Sequence, residues 1–164
     1  MKRILSLILI AVIALAVVSC GGKAASYKTD IPVATLAEAA DKVIAASSGM
    51  TGMTTEYVEN SLGIAASGFE EGIVKVTASG STMDEYGIFK ASSDDTVEAL
   101  KGQVETYLKT RVDTWMPGCM PEEEHSKVEN ASVKVIGRYV VYGILSDTEK
   151  EAVFSAVEAE LLAK

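Results

Sequence analysis

Val133-Lys134-Val135-Ile136-Gly137-Arg138-Tyr139-Val140-Val141-Tyr142-Gly143-Ile144-Leu145-Ser146-Asp147-Thr148-Glu149 contains a strand, a turn, a second strand and a helix start in one run. Val133 and Val135 alternate around Lys134, the period of a half-buried strand. Gly137-Arg138 fits a two-residue hairpin turn with glycine in the first position. Tyr139 to Leu145 then returns as a strand that is apolar on both faces, so it is either central in its sheet or covered on both sides. Ser146-Asp147-Thr148-Glu149 has the form of a capping box, and Phe154, Val157 and Leu161 follow at helical spacing. The run is a hairpin followed by a helix.

Upstream, the same order occurs once before. From Gly72, Val74, Val76 and Ala78 alternate with Ile73, Lys75 and Thr77; Ser79-Gly80-Ser81-Thr82 supplies turn residues; Glu85 to Lys90 returns as a strand. A long helix follows with apolar positions Val97, Leu100, Val104, Tyr107, Leu108 and Trp115, and with Asp94 and Asp95 at its start, where carboxylates satisfy free amides. Gly102 inside it costs about 1 kcal/mol relative to alanine, which points to a close packing contact. The helix must stop before Pro117-Gly118. Val74-Lys75-Val76 answers Val133-Lys134-Val135, and Tyr86-Gly87-Ile88-Phe89 answers Tyr142-Gly143-Ile144-Leu145, as in a duplicated unit. Neither unit alone buries its sheet face and helix stripe, so the two hairpins are expected to join.

Before these units, Leu36, Ala39, Ala40, Val43 and Ile44 recur at helical spacing behind a capping box at Thr35-Leu36-Ala37-Glu38, in a helix ending near Ser47-Ser48-Gly49. A shorter helix from Thr55 to Leu62 is stopped by Gly63. Met50-Thr51-Gly52-Met53 between them is read as gap-filling between helices, ahead of an adaptable binding lip. The expected fold is therefore α+β: N-terminal helices followed by two hairpin-helix units (ββαββα) that form a four-stranded antiparallel sheet packed with helices.

The chain has 164 residues, enough for one domain, with 48% hydrophobic residues and a formal net charge of −8. Its mean hydropathy of +0.22 is inflated by residues 4–18. Met1-Lys2-Arg3, an apolar run from Ile4 to Val18 and Ser19-Cys20 have the order of a secretion signal too short for a comfortable membrane span. Val17-Val18-Ser19-Cys20 resembles a bacterial lipobox, in which the Cys20 thiol takes a diacylglycerol and the segment before it is removed. The expected organisation is a lipoprotein signal peptide at 1–19, a lipidated cysteine and flexible tether at 20–30, and a single domain at 31–164. Without residues 1–19 the chain carries 13 basic and 23 acidic residues, a net charge of −10 that repels nucleic-acid phosphates.

Candidate chemistry is sparse. Once Cys20 is lipidated, Cys119 is a lone thiol, followed by Pro121-Glu122-Glu123-Glu124, whose charges oppose a thiolate; a partly buried structural cysteine is expected, in preference to a catalytic pair with His125. One histidine and scattered carboxylates suggest no metal site, and no glycine-rich phosphate loop or Gly-x-Ser-x-Gly elbow is present, so no cofactor is expected. Glu122-Glu123-Glu124 reads as a solvated loop or the first turn of a short helix after Pro121. Trp115, with Met116 and Met120, is the candidate contact for a ligand or partner, weighed against a core-capping role.

The lipobox, the glycine-rich tether, Leu62-Gly63-Ile64, Asp84-Glu85-Tyr86-Gly87-Ile88-Phe89-Lys90-Ala91, Pro121-Glu122-Glu123, Val128-Glu129-Asn130-Ala131 and Gly137-Arg138-Tyr139-Val140 together resemble the bacterial lipoproteins of domain of unknown function 4358, from about residue 31 onward. The resemblance implies a cell-envelope lipoprotein of a Gram-positive bacterium and brings no catalytic residue with it. The functional expectation is a non-enzymatic binding or interaction domain, lipid-anchored on the extracytoplasmic face of the cell membrane, with an unknown envelope protein or component as partner. The alternatives are an extracytoplasmic small-solute binding module and, last, a Cys119-dependent enzyme.

Overall fold

The computed structural model describes residues 26–45, 49–78 and 80–162. The expected signal peptide, Cys20, the first part of the expected tether, Ser47-Ser48 at the expected end of the first helix and Ser79 in the expected turn lie outside the described residues. The elements are α1 (Val33–Asp41), β1 (Met50–Gly52), α2 (Thr55–Tyr57, continued by a π-helical turn over Val58–Leu62), β2 (Phe69–Thr77), β3 (Glu85–Ala91), α3 (Val97–Asp113), α4 (Glu122–Glu129), β4 (Ser132–Ile136), β5 (Tyr139–Ile144) and α5 (Asp147–Leu161). The sheet is antiparallel throughout, in the order β1-β2-β3-β5-β4.

The mixed α and β architecture with an antiparallel sheet matches the sequence reading, but the sheet has five strands, not four. The extra strand, β1, pairs Met50 with Thr77 and Gly52 with Lys75 on the outer edge of β2. Met50 packs with one core and Met53 with the other, so these methionines fill gaps. The simple ββαββα order is also interrupted, because α4 stands between α3 and β4.

Side-chain alternation along the strands splits the core in two. On one face Tyr86, Ile88, Tyr139 and Val141 pack beneath α1 and α5; on the other Val74, Phe89, Val140 and Tyr142 pack beneath α2, α3 and α4. This explains why β5 is apolar on both sides: it lies inside the sheet, and each of its faces carries a helical layer. It also shows that the repeat is a local pattern and not a symmetric architecture. A two-fold rotation that superposes the hairpins leaves each sheet face in place, so it cannot carry α3 onto α5, and the aligned Tyr86 and Tyr142 point to opposite faces.

Local signals place most boundaries. Gly137 adopts φ +59°, the left-handed conformation the β4–β5 turn needs. The Ser146 hydroxyl accepts from the Glu149 amide at the start of α5. Helix α1 departs from expectation: it begins at Val33 after Pro32, with the Val33 amide donating to Glu71 Oε2 at 2.9 Å, so a carboxylate from β2 replaces the capping box expected at Thr35. It ends at Asp41, before the Ser-Ser-Gly stop. Gly102 has open space where a Cβ would stand, so no close packing contact accounts for it. Trp115 lies beyond the last turn of α3, yet it is partly buried and packs against the core that the α3 stripe covers, as its core-capping reading expects.

The chain enters this fold at the C-terminal end of α5. Tyr27 bridges to Leu162, its hydroxyl donates to Glu158 Oε1 at 2.7 Å, and the Lys28 amide donates to the Leu161 carbonyl at 2.8 Å. Tyr27, within the stretch read as tether, is thus already packed against the fold. Tyr27 also lies against Gly137, and Tyr139 donates to the Ile31 carbonyl at 2.6 Å, so entry occurs at the sheet end formed by the β4–β5 turn.

Candidate functional site

At the opposite end of the sheet, β3 opens with Glu85, a carboxylate on a strand face otherwise occupied by Gly87, Phe89 and Ala91. Glu85 is 3% exposed. A buried carboxyl group needs partners, and three side chains supply them. Tyr107 and Tyr142 donate to Oε1 at 2.7 and 2.6 Å, while Arg111 Nη1 donates to Oε2 at 3.2 Å and to the Tyr107 hydroxyl at 2.8 Å. The 107–111 spacing puts both donors on one side of α3. Tyr142 crosses from β5, where it pairs with Gly87. A Cβ on Gly87 would stand 2.1 Å from the Tyr142 ring, so the missing side chain lets the ring lie along β3 and reach Glu85.

The electrostatics keep the two phenols and the guanidinium protonated. Burial, with the Glu85 charge beside it, raises the Tyr107 and Tyr142 hydroxyls above their ordinary range, so both remain neutral donors. Burial pulls the Arg111 guanidinium down, but Tyr107 and Glu85 outweigh it and leave its pKa raised. Next to this cluster Lys127 donates to Asp84 Oδ1 at 2.7 Å and Glu124 Oε1 at 2.9 Å, while Glu124 Oε2 accepts the Met83 amide at 2.6 Å. Glu122-Glu123-Glu124 forms the first turn of α4 after Pro121, one of the two readings the sequence offers, and Glu124 is buried there.

Two clefts flank Arg111. The larger, about 660 Å³, runs between the end of α2 and α3, lined by Asn60, Gly63, Gln103, Thr106, Thr110 and Arg111 among others. The smaller, about 230 Å³, is lined by Met83, Arg111, Thr114, Trp115, Met116, Cys119 and Met120. Trp115, Met116 and Met120, singled out in the sequence by residue type, are thus brought together. Trp115 stacks on His125 with ring centres 4.7 Å apart, and Met116 is 67% exposed. Cys119 is exposed, not partly buried as expected, because it sits in the Gly118 turn between α3 and α4. No hydrogen bond joins Cys119 to His125 among the described residues; the two ring nitrogens of His125 lie 3.6 Å from Glu122 and Glu129.

Glu85, Tyr107, Arg111 and Tyr142 are the residues sequence reasoning passed over. The available signal was Glu85 itself, a carboxylate at a face position where β3 otherwise places small or apolar residues. Among the described residues no three His, Cys, Asp or Glu side chains group to hold a metal ion, and no helix is long and apolar enough to cross a membrane.

An antiparallel five-stranded sheet between two helical layers, with a buried carboxylate cluster under paired clefts, defines the class of this domain. The chain belongs to the family described as Domain of unknown function (DUF4358), which matches residues 43–145. No curated protein and no solved structure matches it.

Proposed function

We propose that this chain is a lipid-anchored domain on the extracytoplasmic face of a bacterial membrane, acting by binding and not by catalysis. Residues 1–19 are removed, Cys20 carries the diacylglycerol, and the partner is an envelope protein or component. The observation that carries the reading is the separation of chain entry from the clefts. Tyr27 enters at the β4–β5 turn, whereas Glu85, Arg111 and Trp115 gather at the far end of the sheet, about 20 Å away along the length of β3. An anchor at residue 20 then leaves the clefts facing outward. The internally paired Glu85 cluster supports binding over catalysis: its phenols hold their protons and its carboxylate is engaged by three side chains.

The second reading, a small-solute binding module, draws support from Trp115, Met116 and Met120 lining one cleft. Intact mass of the chain purified from membranes of a Gram-positive host tests the anchor. The expected mass lacks residues 1–19 and includes the lipid, and Cys20→Ala abolishes both changes. A mature mass unaffected by that substitution overturns the assignment. Native mass spectrometry of the same protein separates the two readings: a reproducible extra mass, lost on denaturation, selects the small solute, and a clean mass selects the larger partner.

A further inference from the structure

We infer that the paired clefts around Arg111 form a saccharide site, taking an uncharged chain of hydroxyl-bearing sugar rings. The inference rests on the reading of this end of the molecule as a binding surface at the envelope, and it follows from which hydrogen-bonding groups remain unused. Thr106, Thr110 and Thr114 each donate their only hydroxyl proton back along α3, to the carbonyls of Gly102, Thr106 and Thr110 at 2.7, 2.9 and 2.7 Å. Their oxygens therefore present lone pairs only, spaced one helical turn apart, about 6 Å. Donors stand beside them. Among the described residues Arg111 uses only Nη1, leaving Nη2 and Nε, and its side chain is 24% exposed where the clefts meet. Gln103 accepts the Ala65 amide through Oε1 at 2.9 Å, which leaves its NH₂ as a donor.

This arrangement selects among ligand classes. An anion brings acceptors only, which the threonine oxygens oppose, and Glu85 already neutralises Arg111. A cation brings donors only, which the unused N–H groups of Arg111 and Gln103 cannot satisfy. A hydroxyl is donor and acceptor at once and satisfies both sets. A peptide amide also offers both, but along a rigid backbone that calls for an equally regular row such as a strand edge. The adjoining small cleft supplies what a sugar ring needs next, an indole for its apolar face. Trp115 is held there by stacking on His125.

Trp115 is the only tryptophan, so its fluorescence reports directly on the site. The full chain, in a detergent without a sugar headgroup, is titrated with tetrasaccharides of glucose, mannose, galactose and N-acetylglucosamine, and with tetraglycine and sodium acetate. The expected result is a saturable emission change with at least one tetrasaccharide and none with tetraglycine or acetate. Thr110→Val and Asn60→Ala, each with an unchanged melting temperature, are expected to weaken that response by about tenfold. No saturable change with any tetrasaccharide, or a response to tetraglycine or acetate in its place, overturns the inference. So does full affinity in both variants. The intact mass of the same preparation reports the lipid on Cys20, so failure of the sugar site and failure of the anchor are read separately.

Discussion

With no side chain at Gly87, the Tyr142 ring lies across β3 and its hydroxyl meets Glu85 two residues along the same strand. Gly87→Ala forces the ring away from a site already filled, at a cost of about 2 kcal/mol, read as a lower urea midpoint with unchanged slope. Gly102→Ala works in the opposite direction. Its Cβ meets open space in a helix interior, so a gain of about 0.5–1 kcal/mol is expected in the same measurement. The phenols give a pH prediction. Tyr107 and Tyr142 have folded-state pKa values raised above the unfolded value of about 10, so the fold favours their neutral forms. Their stabilisation is fully present below pH about 10 and is lost as pH rises above it. Tyrosinate absorbance and far-ultraviolet circular dichroism should therefore change together on alkaline titration; full ionisation of all tyrosines while the dichroism stays native contradicts the geometry. At this scale the sequence carries Glu85 as a charge on an otherwise small or apolar strand face, a signal that sequence reasoning passed over. Its partners leave no such signal, because Tyr107, Arg111 and Tyr142 meet it only once α3 has crossed the sheet and β5 has paired with β3.

Elements whose ends carry strong local chemistry were legible: the Gly137 turn, the Ser146 cap and the Gly63 stop, at φ +70°, all stand where side-chain and backbone preferences place them. β1 was not, since three residues show no alternation and Met50-Thr51-Gly52 becomes a strand only by pairing with the edge of β2. For α1 the start was misplaced because Glu71, 38 residues away, takes the role of a cap. Helix α4 owes its position to a clamp of the same long-range kind: Lys127 lies between Asp84, before β3, and Glu124 on its own first turn, and all three are buried or nearly so. Burial alone would lower the Lys127 pKa, but the hydrogen bonds it donates to Asp84 and Glu124 raise it, so the ammonium persists as their counterion. Lys127→Met leaves two carboxylates together without a cation and is expected to cost about 3 kcal/mol. Hydrogen exchange should quicken across residues 122–129 and at Met83, with α1 and α5 little changed. Uniform quickening over both helical layers would mean that α4 is not a separable unit.

The molecule as a whole has polarity along its strands. Cys20 lies seven residues before Tyr27, a span of at most about 25 Å when extended, and Tyr27 is pinned beside Gly137 and the end of α5. Cys119 lies at the other end, in the turn that lines the Trp115 cleft, and is exposed. On the proposed lipidation of Cys20, the β4–β5 end would be held towards the bilayer and the clefts away from it. With Cys20 acylated, Cys119 is the one thiol left to label, since the chain has two cysteines. A donor fluorophore on Cys119, in vesicles carrying an acceptor on the lipid headgroups, should transfer energy weakly. The same donor on Lys28→Cys in a Cys119→Ser background should transfer strongly, because Lys28 is tied to the entry end through the Leu161 carbonyl. The reverse order would place the Trp115 cleft against the membrane and make the lipid surface, in place of an outward-facing partner, the thing those side chains meet.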